Sequence, residues 1–362
     1  MENQTVSVTN SLVNVFEKLK PNAAGASLVS SPLSVYLCLA LLGEGLTGAS
    51  LAQLQQLFGY GNQTPIVPAS ILQALTSLTS GQNKNLLVAI SNSVYTSKSS
   101  PLKQSWVDIL RTRYQAHAEA VDFGDNQTLA LINGRITQST HGVLKNTIQK
   151  LNADTVSVLV NTIYFKGSWV RSFDPKETKP ATFTKSDGKQ IQVPFMHASN
   201  CQWALKSGAT AEYLALPYVG GNIKFVVELF HSKKLDKSSS QDILAVAKQT
   251  DTEKVNIAIP KFKCETRLDL IPTLQSLGIQ GIFSAGPDFQ KISDSPVSVT
   301  QVIHQAFVQV DEVGTEAAAA TVVVMSRCMP EQFKANSPFS FHIVDAASQI
   351  ILFSGAVDSP QF

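Results

Sequence analysis

Apolar positions recur at helical spacing from Val6 to Leu19, and Ser30-Ser31-Pro32-Leu33-Ser34 then leads into the unbroken apolar run Val35 to Leu42. A serine able to cap, followed by a proline in the first turn, predicts a helix starting there. Ser50 to Phe58 and Leu102 to Gln115 read as further helices. From about Thr155 the pattern turns to strands: Val156 to Val160, Ile223 to Phe230, Val255 to Ile259, Ile303 to Val310, Phe339 to Val344 and Ile350 to Phe353. One more helix is expected near Leu268 to Leu277, stopped by Gly278. Helices followed by strands, with no repeat or low-complexity linker between them, predict an α+β arrangement with antiparallel or mixed sheets.

One segment fits neither pattern. Glu312-Val313-Gly314-Thr315-Glu316 is followed by Ala317 to Ala320 and then Thr321-Val322-Val323-Val324-Met325-Ser326-Arg327-Cys328-Met329-Pro330. The alanines favour helix, whereas the β-branched run favours strand. At period 2, Thr315, Ala317, Ala319, Thr321, Val323 and Met325 share one face, and Glu316 falls on the other. That face is fit to be buried as a strand.

Composition narrows the function. A chain of 362 residues with 44% hydrophobic content is globular, with enough length for a large core. A net charge of +2 gives no general pull toward nucleic acid or membrane, and no basic cluster rises above scattered lysines such as Lys84, Lys98 and Lys103. The longest apolar run is too short to span a bilayer. The first residues, with an acid at Glu2, lack the basic-then-apolar pattern of a cleaved secretory signal. Cys38, Cys201, Cys264 and Cys328 are widely spaced and predict reduced thiols in a cytoplasmic protein. Sequons at Asn3, Asn62 and Asn126 favour the alternative, secretion by a route without a classical signal.

Enzyme signatures fail. Gly43-Glu44-Gly45-Leu46-Thr47-Gly48 matches the dinucleotide fingerprint in form. No carboxylate follows between Glu44 and Asp108 to hold a ribose, however, and the preceding run starts as a helix. Hydrolase elbows, zinc-protease pairs and phosphate loops are absent. His117, His141, His197, His231, His304 and His342 are isolated from one another, without metal-ligand spacing. His304 stands out because it lies in the apolar strand Val302 to Phe307, where a buried imidazole needs partners.

At this point the chain resembles the serpin family over nearly its whole length. The segment Glu312-x-Gly314-Thr315-Glu316 with its alanines to Thr321 is similar to the hinge of inhibitory members. Asn161-Thr162-Ile163-Tyr164-Phe165-Lys166-Gly167-x-Trp169 with Phe173, Leu216-Pro217-Tyr218, Leu277-Gly278-Ile279, Phe333 to Phe339 and Phe353-x-Gly355-x-Val357-x-x-Pro360 extend the match in the family's order. Departures are Gly134 after Asn133, where many relatives carry tryptophan, and Pro287 before Asp288, where alanine is usual. The resemblance implies one serpin domain over 1–362, with about three β-sheets including a large central one, about nine helices and an exposed reactive-centre loop near 312–331. It implies a polar shutter of Ser31, Ser34, Asn161 and His304 beneath the central sheet, and a breach of Trp169, Lys261 and Glu312 at the loop entry.

The implied function is not enzymatic and needs no cofactor or metal. A target serine protease cleaves the loop, and the loop inserts into the central sheet before the acyl-enzyme is hydrolysed. About 15 residues inserting at roughly 3.3 Å each would carry the protease about 50 Å. The protein is expected to act as a monomer that forms a covalent complex with the protease, without nucleic acid or membrane as partner; nothing in the sequence supports a heparin-like polyanion. Two registers of the cleaved bond stay open: Arg327-Cys328, which suits a trypsin-like pocket, and Cys328-Met329, which suits chymotrypsin-, elastase- or cathepsin-like enzymes. A non-inhibitory carrier or chaperone is the remaining alternative.

Overall fold

The computed structural model describes residues 2–20, 25–59, 67–80, 85–313 and 330–362. Gly314 to Thr321, and with them the hinge alanines Ala317, Ala318, Ala319 and Ala320, lie outside the described residues, as do Arg327, Cys328 and Met329.

The described residues form eight α-helices: α1 (Glu2–Leu19), α2 (Pro32–Gly43), α3 (Gly48–Phe58), α4 (Ala69–Ser80), α5 (Gln104–Tyr114), α6 (Asn126–Ser139), α7 (Ser240–Lys248) and α8 (Ile271–Ser276). Interleaved with them are fourteen strands. The first seven are β1 (Ser27–Ser30), β2 (Leu86–Ser97), β3 (His117–Val121), β4 (Ser157–Gly167), β5 (Lys179–Thr184), β6 (Gln190–Ser207) and β7 (Ala211–Pro217). The others are β8 (Ile223–Phe230), β9 (Glu253–Pro260), β10 (Phe262–Asp269), β11 (Gln301–Val310), β12 (Glu331–Lys334), β13 (Phe339–Asp345) and β14 (Ile350–Val357).

Two hydrogen-bonded networks result. Nine strands follow the order β1-β14-β13-β8-β7-β6-β9-β12, with β5 paired to β6. The long β6 belongs to two halves of this network: Ala204 to Ser207 pair with β7, and Phe195 to Trp203 pair with β9 across a register shift. The other network is the five-stranded sheet β10-β11-β4-β2-β3. Its middle strands β4 and β11 run parallel and are directly paired over eight positions, from Gln301 opposite Val158 to Val308 opposite Phe165.

Why β4 sits in the middle is legible in its burial: ten of its eleven residues are buried, and only Lys166 is exposed. A strand covered on both faces loses apolar–polar alternation and reads as a continuous apolar run. One face packs with α2, every residue of which is buried, and Leu159, Ile163 and Phe165 join the main core there. The opposite face meets α6, where Val158, Val160 and Ile303 pack with Ile132 and Ile136.

Two expectations need correction. The first part of the chain is not helical throughout, because β2 and β3 lie between α4 and α6. Ser91-Asn92-Ser93 interrupts the apolar pattern of β2 and hides it from a periodicity reading. The helix expected from Leu268 starts only at Ile271; Leu268 and Asp269 end β10, whose burial alternates along Phe262–Asp269 as a half-covered strand requires. The glycine-rich Gly43 to Gly48 segment joins α2 to α3, a helix-to-helix connection. Gly45 fits there because a Cβ would lie 2.2 Å from the Ile292 side chain.

Candidate functional site: a polar row under the sheet seam and a clasp at its end

Ser31 caps α2, its hydroxyl accepting from the Ser34 N–H at 3.1 Å and donating to the Leu352 carbonyl at 2.5 Å. Pro32 follows at the first helical position, where its missing N–H costs nothing. This start brings the helix N-terminus against β4 and β11. The Ser31 N–H donates to His304 Nε2 at 3.0 Å, and His304 Nδ1 lies 2.5 Å from Asn161 Oδ1. Asn161 Nδ2 in turn donates to the Ser34 carbonyl at 3.0 Å, to the Ser34 hydroxyl, and to Asn92 Oδ1 at 2.5 Å.

These contacts fix the protonation of His304. The Asn161 carbonyl oxygen accepts, so Nδ1 carries the proton; Nε2 receives an N–H, so it carries none. The ring is neutral, and its complete burial drives its pKa from 6.5 down to about 3. A second proton would face the Ser31 N–H with no acceptor.

The structure therefore brings Ser31, Ser34, Asn161 and His304 into one buried network. It adds Asn92, which the sequence reading passed over. Asn92 stands opposite Asn161 in the β2–β4 ladder, and Asn161 stands opposite His304 in the β4–β11 ladder. Three polar side chains thus form one row across β2, β4 and β11, crossing the seam where two parallel strands meet. The available signal was the polar Ser91-Asn92-Ser93 triplet inside the otherwise apolar Leu86 to Tyr95 run.

At the far end of the same seam the residues form a clasp. β4 closes at Gly167, where a Cβ would lie 2.7 Å from the Tyr218 ring. That close approach lets Trp169 stack on Tyr218, with ring centres 4.4 Å apart and planes 12° from parallel. The Trp169 indole N–H donates to the Asp311 carbonyl at 2.8 Å, and the Phe173 N–H donates to the Glu312 carbonyl at 2.9 Å. The Glu312 carboxylate accepts from Lys261 Nζ at 2.7 Å and from the Thr178 hydroxyl at 2.9 Å. Burial works to raise the Glu312 pKa, but the bonds from Lys261, its own backbone and Thr178 outweigh it and hold the group below its ordinary value. Trp169, Lys261 and Glu312 are thus in one place, and Thr178, Tyr218 and Asp311 complete it. Chain order explains the difficulty: Thr178 lies 134 residues from Glu312.

The departures from the family pattern have local explanations. At Gly134 a Cβ would meet open space, and Asn133 holds Ile148 by two bonds, 2.8 Å from Nδ2 to its carbonyl and 2.9 Å from its N–H to Oδ1. Asp288 after Pro287 accepts from the Ser50 N–H at 2.9 Å, holding the first turn of α3. Among the described residues no group of three His, Cys, Asp or Glu side chains could hold a metal, and no helix is long and apolar enough to cross a membrane. Cys38, Cys201 and Cys264 are free and buried.

Comparison with known proteins follows the same outline. Serpin-ZXA of Oryza sativa subsp. japonica is 32% identical over 362 aligned positions, covering 93% of this chain and 91% of that one. Neuroserpin of Rattus norvegicus is 26% identical, covering 96% and 90%. Among solved structures, native protease nexin-1 with heparin superposes with a TM-score of 0.88 at 25% identity, covering 99% of both chains. The model of the serpin (serine protease inhibitor) family matches residues 7–360. With the family model spanning the polar row, the seam and the clasp alike, this chain belongs to the serpin family.

Proposed function

We propose that the protein is a suicide inhibitor of serine proteases of the trypsin type. The observation that carries this reading is the parallel pairing of β4 with β11. The segment in question follows Glu312 in the chain, starting three residues beyond Val310, where β11 ends. If it turned back into the seam it would run antiparallel to β11, and therefore antiparallel to β4 as well. One parallel ladder would be exchanged for two antiparallel ones, which pair slightly better per residue. The inward face needed for such a strand is supplied by Thr315, Ala317, Ala319, Thr321, Val323 and Met325, with no proline before Pro330.

In this reading the protease serine attacks the carbonyl carbon of Arg327. The Arg327-Cys328 peptide bond breaks, Cys328 becomes a new amino terminus, and the protease stays on Arg327 as an ester. Arg327 is the only charge between Glu316 and Glu331, which favours a pocket with a buried acid. Incubation with trypsin, chymotrypsin, elastase and a papain-like enzyme tests the reading. A denaturant-resistant complex with trypsin and a released peptide beginning at Cys328 are expected, whereas a peptide beginning at Met329 moves the cleaved bond to Cys328-Met329. Cleavage by every enzyme with no complex sinks the inhibitor reading. Thr315→Arg places a charge on the inward face; it is expected to turn inhibitor into substrate with the fold intact, and full retained inhibition contradicts insertion.

A further inference from the structure

Asn133-Gly134 is the only Asn-Gly pair in the chain, and it falls in the interior of α6. Nothing in the packing calls for the glycine: it is exposed, its φ is not left-handed, and an added Cβ would meet open space. Glycine is the poorest helix former after proline, because its unfolded backbone has the most freedom to lose, so α6 is weakened at this point.

The asparagine beside it carries a tether. Asn133 Nδ2 donates to the Ile148 carbonyl at 2.8 Å, and Oδ1 accepts from the Ile148 N–H at 2.9 Å. One turn on, the Thr137 hydroxyl lies 3.1 Å from the Leu144 carbonyl. These bonds hold the 144–148 segment to α6, whose Ile132 and Ile136 pack on Val158 and Val160 of β4 and on Ile303 of β11. On this face α6 covers the β4–β11 seam.

An asparagine amide can be attacked by the backbone nitrogen of the residue after it. The new N–Cγ bond forms, the Cγ–Nδ2 bond breaks, ammonia leaves, and water then opens the cyclic succinimide to aspartate or isoaspartate. A following glycine allows this most readily, since no Cβ hinders the approach or restricts the backbone. The intact helix forbids it: the Gly134 N–H is committed to the carbonyl one turn back, and both polar atoms of Asn133 are held by Ile148. The reaction therefore needs α6 to open locally, and opening is easiest where a helix carries a glycine.

We propose that Asn133 is a self-modification site, converted to aspartate or isoaspartate by the Gly134 nitrogen and water, with local opening of α6 as the gate. The product cannot rebuild the tether. Aspartate offers no donor to the Ile148 carbonyl and sets a carboxylate against it, and isoaspartate adds a backbone carbon that breaks the helical spacing. Conversion thus loosens the cover over the seam irreversibly. Nothing in this chemistry depends on the reactive-centre loop.

Peptide mapping by mass spectrometry of the full chain, aged at mildly alkaline pH in its native state and in parallel in urea, tests the proposal. Asn133 is expected to convert in both, ahead of every other asparagine in urea, and at least about tenfold faster there because no opening is needed. Gly134→Ala should slow conversion by at least about tenfold in both. Asn133→Asp, which mimics one product, should speed hydrogen exchange of the α6 amides by about tenfold and change those of β8 by less than about twofold. Should that variant fail to fold, aged wild-type chains separated by charge serve the same exchange comparison. Failure to convert in urea overturns the proposal, as does an intact Asn133 in native chains whose urea counterpart has converted. So does equal conversion in Gly134→Ala, or unchanged α6 exchange once position 133 is an acid.

Discussion

The polar row and the clasp guard the same seam by different chemistry. The row is buried and uncharged: Ser31, Ser34, Asn161 and His304 are sealed from water and tied to one another by hydrogen bonds. The clasp is an ion pair at the rim, with the Glu312 side chain buried, 9% exposed, and that of Lys261 36% exposed. Low dielectric makes the row expensive to break and blind to salt, because any orphaned partner stays buried. Water around Lys261 keeps the clasp weak. The seam is thus fastened strongly in its middle and lightly at its Glu312 end.

Removal of Asn161 is the severest test of this contrast. Asn161→Ala strands His304, Asn92 and Ser34 together, and the loss of folding stability is expected to be about 3 to 4 kcal/mol in denaturant unfolding. A loss under about 1 kcal/mol would place the strength of the seam elsewhere.

Acid separates the two regions by pH. Unfolded, His304 takes its proton near 6.5; folded, only near 3. Between those values the unfolded state holds the extra proton, so stability falls as pH drops, by about 1.4 kcal/mol per unit or about 2 kcal/mol from pH 6.5 to 5. The Glu312 carboxylate, held below its ordinary 4.5, keeps its contribution above that value and loses it only as acid passes the lower folded pKa. Unfolding followed from pH 7 to 5 therefore reports the row and not the clasp, with a contribution of the same sign from His197, whose pKa burial also lowers. His304→Asn is expected to flatten that slope, and an unchanged slope would assign the titration to another group.

The smallest effect belongs to the clasp. Lys261→Met is expected to cost about 1 kcal/mol or less, shrinking further in high salt. A cost matching that of Asn161→Ala would erase the distinction between the two regions.

Local signals carried much of the fold. Ser31-Pro32 marked the start of α2, the Ile223–Phe230 strand appeared with its observed bounds, and His304 declared itself as a polar residue in an apolar strand. Failures came where the signal is not local. β10 was missed, and its last two residues were absorbed into an expected helix, because its alternation depends on which face β11 and the core cover. Asn92 and Thr178 gave little sign of a role, because each acquires one only from a partner 69 or 134 residues away.

By itself, the sequence determined where α2 begins, which residues are too apolar to stay in water, and that the Thr315-to-Met325 face has the side chains of a buried strand. Those properties follow from backbone propensity and transfer from water, which act within a few residues. Only the tertiary structure decided that β4 and β11 meet in parallel, that Asn92 completes the row, and that Lys261 and Thr178 meet the Glu312 carboxylate. Pairing, burial and the electrostatic company of a charge are set by segments distant in the chain, and they exist only once those segments have packed together.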